Sequence, residues 1–337
     1  MNIKIIAEKT GLSVATISRV MNHPEKVNPM TREKVLSIMR EYDYSPNQLA
    51  RGLILGKTHT IALLVPNIEN SLFQMISSGV ETVSLSKDYT VFLCNTRENP
   101  NIEENYLQMA LDRGVDGIIA VESSLKQDET KFLKNNSTAF VHIGKRRLFG
   151  CNNNCYIDHS EDAKKLTEHL LSMQYNSIGL MLDNSSLETS NQIKTGFLDA
   201  INKPKSTNII NSVNNIEGGF LTVKKLISEN KLPRALITAT DLQAFGVMKA
   251  AQESKIDIPN ELAISSLTDS PVCAILSPPL TCIDVPAKRL GMTAARMLFD
   301  IIFDEEYASD AYKEVVLQST LKIRKSCGNT KNIYELF

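Results

Sequence analysis

The spacing of apolar residues changes near residue 60. Before that point they recur every three or four positions in short blocks: Ile5, Ile6 and Ala7; then Ile17, Val20 and Met21; then Val35, Ile38, Met39 and Tyr42. That period belongs to one face of a helix, so three short amphipathic helices are predicted. After residue 60 the blocks become continuous. Ile61-Ala-Leu-Leu-Val65 has no polar interruption, as expected of a strand buried on both faces.

The boundaries of the first three helices are written in capping residues. Gly11 suits a turn position with φ > 0. Ser13 is placed to cap the free amides of the second helix, and Asn28-Pro29 to open the third. With Ile17, Val20 and Met21 facing inward, Val14, Ala15, Thr16, Ser18, Arg19 and Asn22 face outward. A helix, a glycine turn and a second helix presenting such a face form a hairpin that fits a DNA major groove. An ordinary helical hairpin shares the pattern. Ser45-Pro46 predicts one more helix start, but only about nine residues precede Gly56, and Gly52 lies within them. A helix that short is marginal alone, since roughly 12–15 residues are usually needed. It is expected to be a disordered linker unless a partner buries its apolar side.

From Thr60 onward strands and helices alternate. Strands are predicted at about 60–65, 89–94, 117–121 and 138–143, with helices at about 71–87, 102–113 and 127–134 between them. A looser segment, Lys145–Cys155, ends this unit. The alternation restarts with a helix near 160–173, strands near 178–182, 207–212, 235–238 and 262–267, and helices between them. A strand at 281–284, a helix at 286–303 and a strand at 314–322 remain, and could return to either unit. Repeated β-α alternation implies parallel strands with right-handed crossovers. Two such units facing each other create a cleft at the carboxyl ends of their strands.

The chain has 337 residues, enough for two or three domains with cores. No run approaches the ~18 apolar residues of a membrane span, and Lys4, Glu8 and Lys9 interrupt any signal-peptide core, so a cytoplasmic protein is expected. Six scattered cysteines are expected to be free thiols. Cys151, Cys155 and His159 lie four apart, but no second ligand pair follows, so no metal is expected. The net charge of −1 conceals an asymmetry: residues 1–59 hold nine Lys/Arg and five Asp/Glu, and the excess acid lies in the body. A mildly basic head on an acidic body suits a polyanion-binding head. Gly52-x-x-x-Gly56-Lys57-Thr58 resembles a phosphate loop but is one residue short and precedes a strand. With no other catalytic motif, an enzyme is not expected and no cofactor is implied.

Specific stretches resemble the LacI/GalR family of bacterial transcription regulators: Ile5 through Asn22, Thr31-Arg-Glu-Lys-Val35, and Tyr44-Ser-Pro-Asn-Gln-Leu-Ala-Arg51. In the body they include Ile61 to Pro66, Asn70-Ser-Leu-Phe73, Gly114-Val-Asp-Gly117, Thr240-Asp241 and Leu280-Thr281. The resemblance implies an all-α helix-turn-helix head joined to an α/β body of two doubly wound lobes, periplasmic-binding-protein-like. It implies a homodimer on double-stranded operator DNA and a small effector, often a sugar, in the cleft. The expected organisation is a DNA-binding domain over 1–45, a hinge helix and linker over 46–59, a body over 60–325 and a tail over 326–337. Lobe one would hold about 60–158 and 287–312, and lobe two about 159–286 and 313–325.

The resemblance also assigns roles. Arg19 matches a base-reading position, where a guanidinium bonds guanine O6 and N7 together. Val14 and Ala15 match positions that set operator preference and can only meet a thymine methyl or fit closely. Thr16, Ser18, Asn22 and Tyr44 suit phosphate or sugar contacts. Leu53 matches a leucine wedged into the minor groove, which would fold the linker on DNA; packing on the body is the other reading. Phe73, Lys145 (with Arg146 beside it), Asn214, Asp241 and Asp269 match effector-binding positions. For Asp241, helix capping is an equal reading. Ile193 stands where relatives commonly carry an effector-anchoring arginine. A transcription regulator, most plainly a repressor, is the expected function. The alternative is a solute-binding protein of the same body fold, which the head and the missing signal peptide oppose.

Overall fold

The computed structural model describes residues 3–22, 26–42, 57–125, 138–148, 151–183, 187–201, 209–303 and 312–328. The predicted linker helix and the helix near 127–134, with Tyr44 and Leu53, lie outside them. The chain divides into two compact units, Met1–Thr58 and His59–Phe337.

In the first unit, α1 (Ile3–Thr10), α2 (Val14–Asn22) and α3 (Pro29–Glu41) enclose Ile6, Ala7, Ile17, Val20, Val35 and Met39. Gly11 takes φ of 69° at the turn after α1. Ser13 Oγ accepts from the Thr16 amide at 3.1 Å, and Asn28 Oδ1 accepts from the Met30 amide at 2.9 Å with Pro29 at the first position of α3. The capping residues thus fix these helix starts as their chemistry requires.

The second unit contains two sheets of the same winding. Lobe one begins with β1 (Thr60–Val65), α4 (Ser71–Leu85), β2 (Thr90–Asn95), α5 (Pro100–Asp112), β3 (Gly117–Val121), β4 (Ala139–Ile143) and β5 (Asn153–Ile157). Lobe two holds α6 (His159–Ser172), β6 (Ile178–Leu182), α7 (Glu188–Ala200), β7 (Ile209–Asn211), α8 (Ile216–Ser228), β8 (Ala235–Thr238), α9 (Asp241–Glu253), β9 (Ala263–Ser266), α10 (Pro271–Ile275) and β10 (Thr281–Asp284). Then follow α11 (Ala287–Phe303), β11 (Lys313–Leu317) and β12 (Thr320–Lys322). The sheet orders are β2-β1-β3-β4-β5-β11 and β7-β6-β8-β9-β10-β12. All pairs are parallel except β10 with β12. In each sheet the first strand has its successors on both sides, which makes a switch point at the carboxyl ends of the strands.

Burial explains the continuous apolar runs. Ile61, Leu63 and Val65 pack on one face of β1 with α4 and α11 residues such as Ile76 and Leu298. Ala62 and Leu64 pack on the other with Leu107 and Ala110 of α5. With helices on both faces, no residue of these strands needs to be polar.

Three expectations are corrected. The looser segment ending at Cys155 runs into β5, a strand in the interior of its sheet. Its Asn-Asn-Cys-Tyr-Ile sequence conceals it, because Asn154 is buried there and its amide donates to the Tyr312 hydroxyl at 3.4 Å. The single strand expected at 314–322 is two strands in different sheets. Residues 313–317, expected in lobe two, extend lobe one as β11 beside β5, and only β12 joins lobe two. The expected tail from 326 is built into lobe two at its start. Ser326 Oγ donates to the Ile264 carbonyl at 2.6 Å and accepts from the Thr281 amide at 2.8 Å, and Cys327 is buried.

The chain crosses between lobes after β5, after β10 and after β11. Helix α11 returns to lobe one and lies backbone to backbone on α4. A Cβ at Gly291 would strike the Ile76 carbonyl, and one at Gly79 the Lys288 carbonyl. Gly291→Ala or Gly79→Ala is therefore expected to destabilise the body by about 1–3 kcal/mol, as overpacking does, read from the urea midpoint of the full chain.

Candidate functional site

On the head, α2 exposes Val14, Ala15 and Arg19, while Thr16 and Ser18 are partly buried. Val14 is 41% exposed although it is aliphatic. Thr16 Oγ1 lies 2.9 Å from Ser13 Oγ, which ties it to the cap. Asn22 closes the helix. Val14, Ala15 and Arg19 thus lie on the face the three-helix core leaves free, and Thr16 and Ser18 sink partly into it; the side chain of Asn22 lies outside the described residues.

In the body, the carboxyl ends of both sheets meet at an interlobe cavity. Phe73 lines it from the first turn of α4, whose start is fixed by Asn70 Oδ1 accepting from the Leu72 amide at 2.9 Å. From lobe two come Asn214, Thr240 and Thr268, with Ile193 supplying an apolar wall. Thr240 caps α9 and is hydrogen-bonded to Asn214. His159, at the first crossover, also faces the cavity; burial lowers its pKa to about 4, so it is a neutral donor and acceptor.

A second cavity shares Glu98 and Leu187 with the first. Its walls carry Glu98, Glu103, Glu122 and Glu188 against Arg146 as the one cation among its lining residues. Arg146 is spent on carbonyls: its guanidinium donates to Ser123 at 2.6 Å and Leu125 at 3.1 Å. Glu103 accepts from the hydroxyls of Ser123 and Ser124 and from the Ser124 amide. Glu122 reaches across the cleft, where Oε2 accepts from the Thr189 amide at 3.2 Å. Burial, with nearby Glu188 adding to it, pushes Glu122 up to about 7 despite that hydrogen bond and Arg146.

The structure gathers some of the sequence-derived effector residues and separates others. Phe73 and Asn214 line the first cavity. Lys145 does not line either; its ammonium is 2.6 Å from Asp158, and its neighbour Arg146 takes the wall position. Asp241 is buried and acts as a structural acceptor. Its Oδ1 takes bonds from the Leu242 amide at 3.0 Å, Thr268 Oγ1 at 3.3 Å and, across the cleft, Ser71 Oγ at 3.4 Å. Thr240 and Thr268 present hydroxyls where Asp241 was expected. Asp269 is turned away altogether. Arg324 clamps its two oxygens at 3.0 and 2.7 Å, and Lys322 lies 3.6 Å off. Sequence reasoning missed Glu122, Thr240, Thr268 and Arg324. Glu122 lies one position past β3 and Thr240 two past β8, so a search for polar residues one or two positions past each strand would have found them.

Cys151, Cys155 and His159 form no ligand cluster. Among the described residues, Asp269, Cys273 and Cys282 do place ligand atoms within 4.8 Å of one another. Arg324 and Lys322 already neutralise that carboxylate, so a cation there would meet two positive charges.

These features define a class: a small helix-turn-helix domain and a two-lobed α/β body with an interlobe cavity. Comparison with known proteins agrees. Residues 2–47 match bacterial regulatory proteins of the lacI family, and residues 167–327 match the periplasmic binding protein-like domain. The chain is 30% identical over 331 residues to the HTH-type transcriptional repressor PurR of Haemophilus influenzae (strain PittEE), covering 96% of this chain and 98% of that one. The lac repressor dimer bound to operator and the anti-inducer ONPF has the same fold, with a TM-score of 0.84, 20% identity and coverage of 97% and 99%. A LacI family transcriptional regulator from Enterococcus faecium with bound ribose matches with a TM-score of 0.72, 25% identity and coverage of 79% and 98%. The chain belongs to the LacI family: it is a DNA-binding transcriptional regulator, in a family of regulators rather than enzymes. Among its described residues no helix is long and apolar enough to cross a membrane.

The Asp269–Arg324 clamp carries a stability prediction. Arg324→Leu leaves a carboxylate that is 6% exposed with Lys322 as its remaining cation. Breaking such a pair costs about 3–5 kcal/mol, expected as a lowered thermal midpoint, whereas paired Asp269→Asn with Arg324→Leu recovers part of it.

Proposed function

We propose that this chain is a homodimeric repressor whose operator binding is set by a small, hydroxyl-rich effector held between the lobes. The observation that carries the reading is the cavity at the facing carboxyl ends of the two sheets. Phe73 offers a ring face to a sugar, while Asn214, Thr240, Thr268 and neutral His159 offer hydrogen bonds to hydroxyls. Four glutamates against one arginine in the adjoining cavity favour a neutral or cationic effector over a phosphorylated or carboxylated one. Ile193 in place of an anchoring arginine points the same way. The PurR relatives are named as repressors, which supports the repressor role.

On DNA, Arg19 reads guanine in the major groove while Val14 and Ala15 fit against thymine methyls. Thr16, Ser18, Asn22 and Tyr44 contact phosphates or sugars, and Leu53 wedges the minor groove at the operator centre. For Asn22, Tyr44 and Leu53 the sequence alone supports the reading.

Dimerisation is supported by apolar surface on both lobes. Edge strand β2 exposes Phe92 and Leu93, and lobe two exposes Ile216 and Leu221 on α8 with Val272 and Ile275 on α10. An apolar edge strand left uncovered invites association, and a second copy covers both patches at once. The effector acts by binding two lobe arrangements with different affinity, which shifts the population competent for DNA.

Two measurements test this. Arg19→Ala is expected to reduce specific operator affinity by roughly 5–150-fold, the equivalent of about 1–3 kcal/mol, in a gel shift, with the thermal midpoint of the body unchanged; unchanged specificity removes Arg19 from base reading. A thermal-shift screen is expected to find stabilisation by neutral or amino sugars and none by sugar phosphates, and Asn214→Ala is expected to weaken the hit about tenfold. Stabilisation by sugar phosphates alone overturns the assigned effector class.

A further inference from the structure

Five of the long helices that start at the cleft or first crossover carry their own side-chain cap. Asn70, Asn99, Asp158, Asn215 and Thr240 each accept from an amide in the first turn of the helix they open. Helix α7 does not. Leu187 stands at its N-cap, with no oxygen to offer. The amide of Thr189, in its first turn, is served instead by Glu122 Oε2 from the opposite lobe, 67 residues earlier in the chain. A self-capped helix end keeps its partner whether the lobes are together or apart; among the described residues, the side-chain partner of this amide is in place when they are together.

The surroundings make the bond sensitive to protons. Glu188 on α7, Glu98 after β2 and Glu103 on α5 bring negative charge to the same cavity, and Arg146 is the cation there. His142 on β4 and His159 at the crossover are held neutral by burial and supply no compensating charge. Bringing the lobes together therefore desolvates a carboxylate among other carboxylates.

We infer that the Glu122–Thr189 bond is a proton-linked latch on the effector cleft, closing most readily when Glu122 is protonated. The neutral carboxyl still has a carbonyl oxygen for the Thr189 amide, and its proton removes the charge that closure would bury. The inference rests on the reading of the cleft as the effector site, because the latch then regulates effector retention. With Glu122 near 7 in the closed form and at its ordinary value of 4.5 when solvated, closure takes up a proton between those limits. The closed form gains as pH falls through 7, and the gain is complete below 4.5. Between pH 8 and pH 6 the closed-to-open ratio rises about tenfold.

The test is hydrogen exchange on the full chain with no ligand added, read at the amides of the first turn of α7 and corrected for the intrinsic pH dependence of exchange. The self-capped first turn of α9 is the internal reference. In the wild-type chain protection at α7 is expected to rise about tenfold from pH 8 to pH 6, with α9 unchanged. Glu122→Gln keeps the acceptor without the charge and is expected to be protected equally at both pH values. Glu122→Asp withdraws the carboxylate by one methylene and is expected to lose protection at both, which keeps the test decisive should Glu122→Gln not fold. Wild-type protection independent of pH, a Glu122→Gln chain that keeps the wild-type pH response, or a Glu122→Asp chain as protected as wild type each overturns the latch. None of these readings uses an effector, so the latch can fail while effector binding stands, and the reverse.

Discussion

The constraint on which the body depends is the unsatisfied amides at the starts of its helices. Parallel strands connected by helices place every such start at the carboxyl edge of a sheet. In this chain two sheets of the same winding turn those edges toward each other. The cleft is therefore a concentration of backbone donors, of capping oxygens and of the first side chains after each strand. Its polar groups are there because helix starts need partners, and the same groups suit a hydroxyl-rich ligand. Asn214 bonded to Thr240, and Thr240 bonded to the start of α9, show one network serving both ends.

The two lobes satisfy that constraint unequally. Most helix starts are closed locally, which leaves each lobe self-sufficient. Helix α7 borrows from the other lobe, and Ser71 gives a second cross-cleft bond to Asp241. Three crossovers join the lobes, and these polar bonds, with apolar side chains such as Phe73 and Ile193 from either side, meet at the cleft. Lobes joined by a few chain crossings are suited to hinge motion between two arrangements. The buried histidines and the poorly compensated glutamates make the cleft an electrostatically costly place to dry out. A ligand that supplies hydroxyls or positive charge offsets that cost.

The head works on a different principle. Among the described residues its core centres on six buried side chains, and its function lies in what that core leaves outside. An aliphatic Val14 beside a charged Arg19 on one exposed face is poor for stability in water and reasonable for a surface that meets base edges. Capping by Ser13 fixes where α2 begins, and so fixes which residues lead the helix.

The sequence by itself determined what is local. Capping residues set helix starts at Ser13, Asn28 and Asn70 through bonds to amides two or three positions away. Doubly buried strands announced themselves as apolar runs. The head residues followed from helical period, and the family from motifs spread along the chain. The tertiary structure decided what depends on distant partners. Strand β5 is polar in sequence and is held by β4 and β11 on either side. Asp269 was legible as a cleft carboxylate, but its partner Arg324 lies 55 residues on, and a bidentate clamp outweighs an open position at the cleft. Lys145 and Arg146 are adjacent, and only the neighbouring Asp158 and the Ser123 carbonyl decide which of them faces the cavity. The place of Glu122 just past β3 was legible as a cleft position, but its partner was not, because the helix it meets begins on the other lobe. Local chemistry is written in neighbouring residues; a site between two lobes is written in which strand ends the fold brings together.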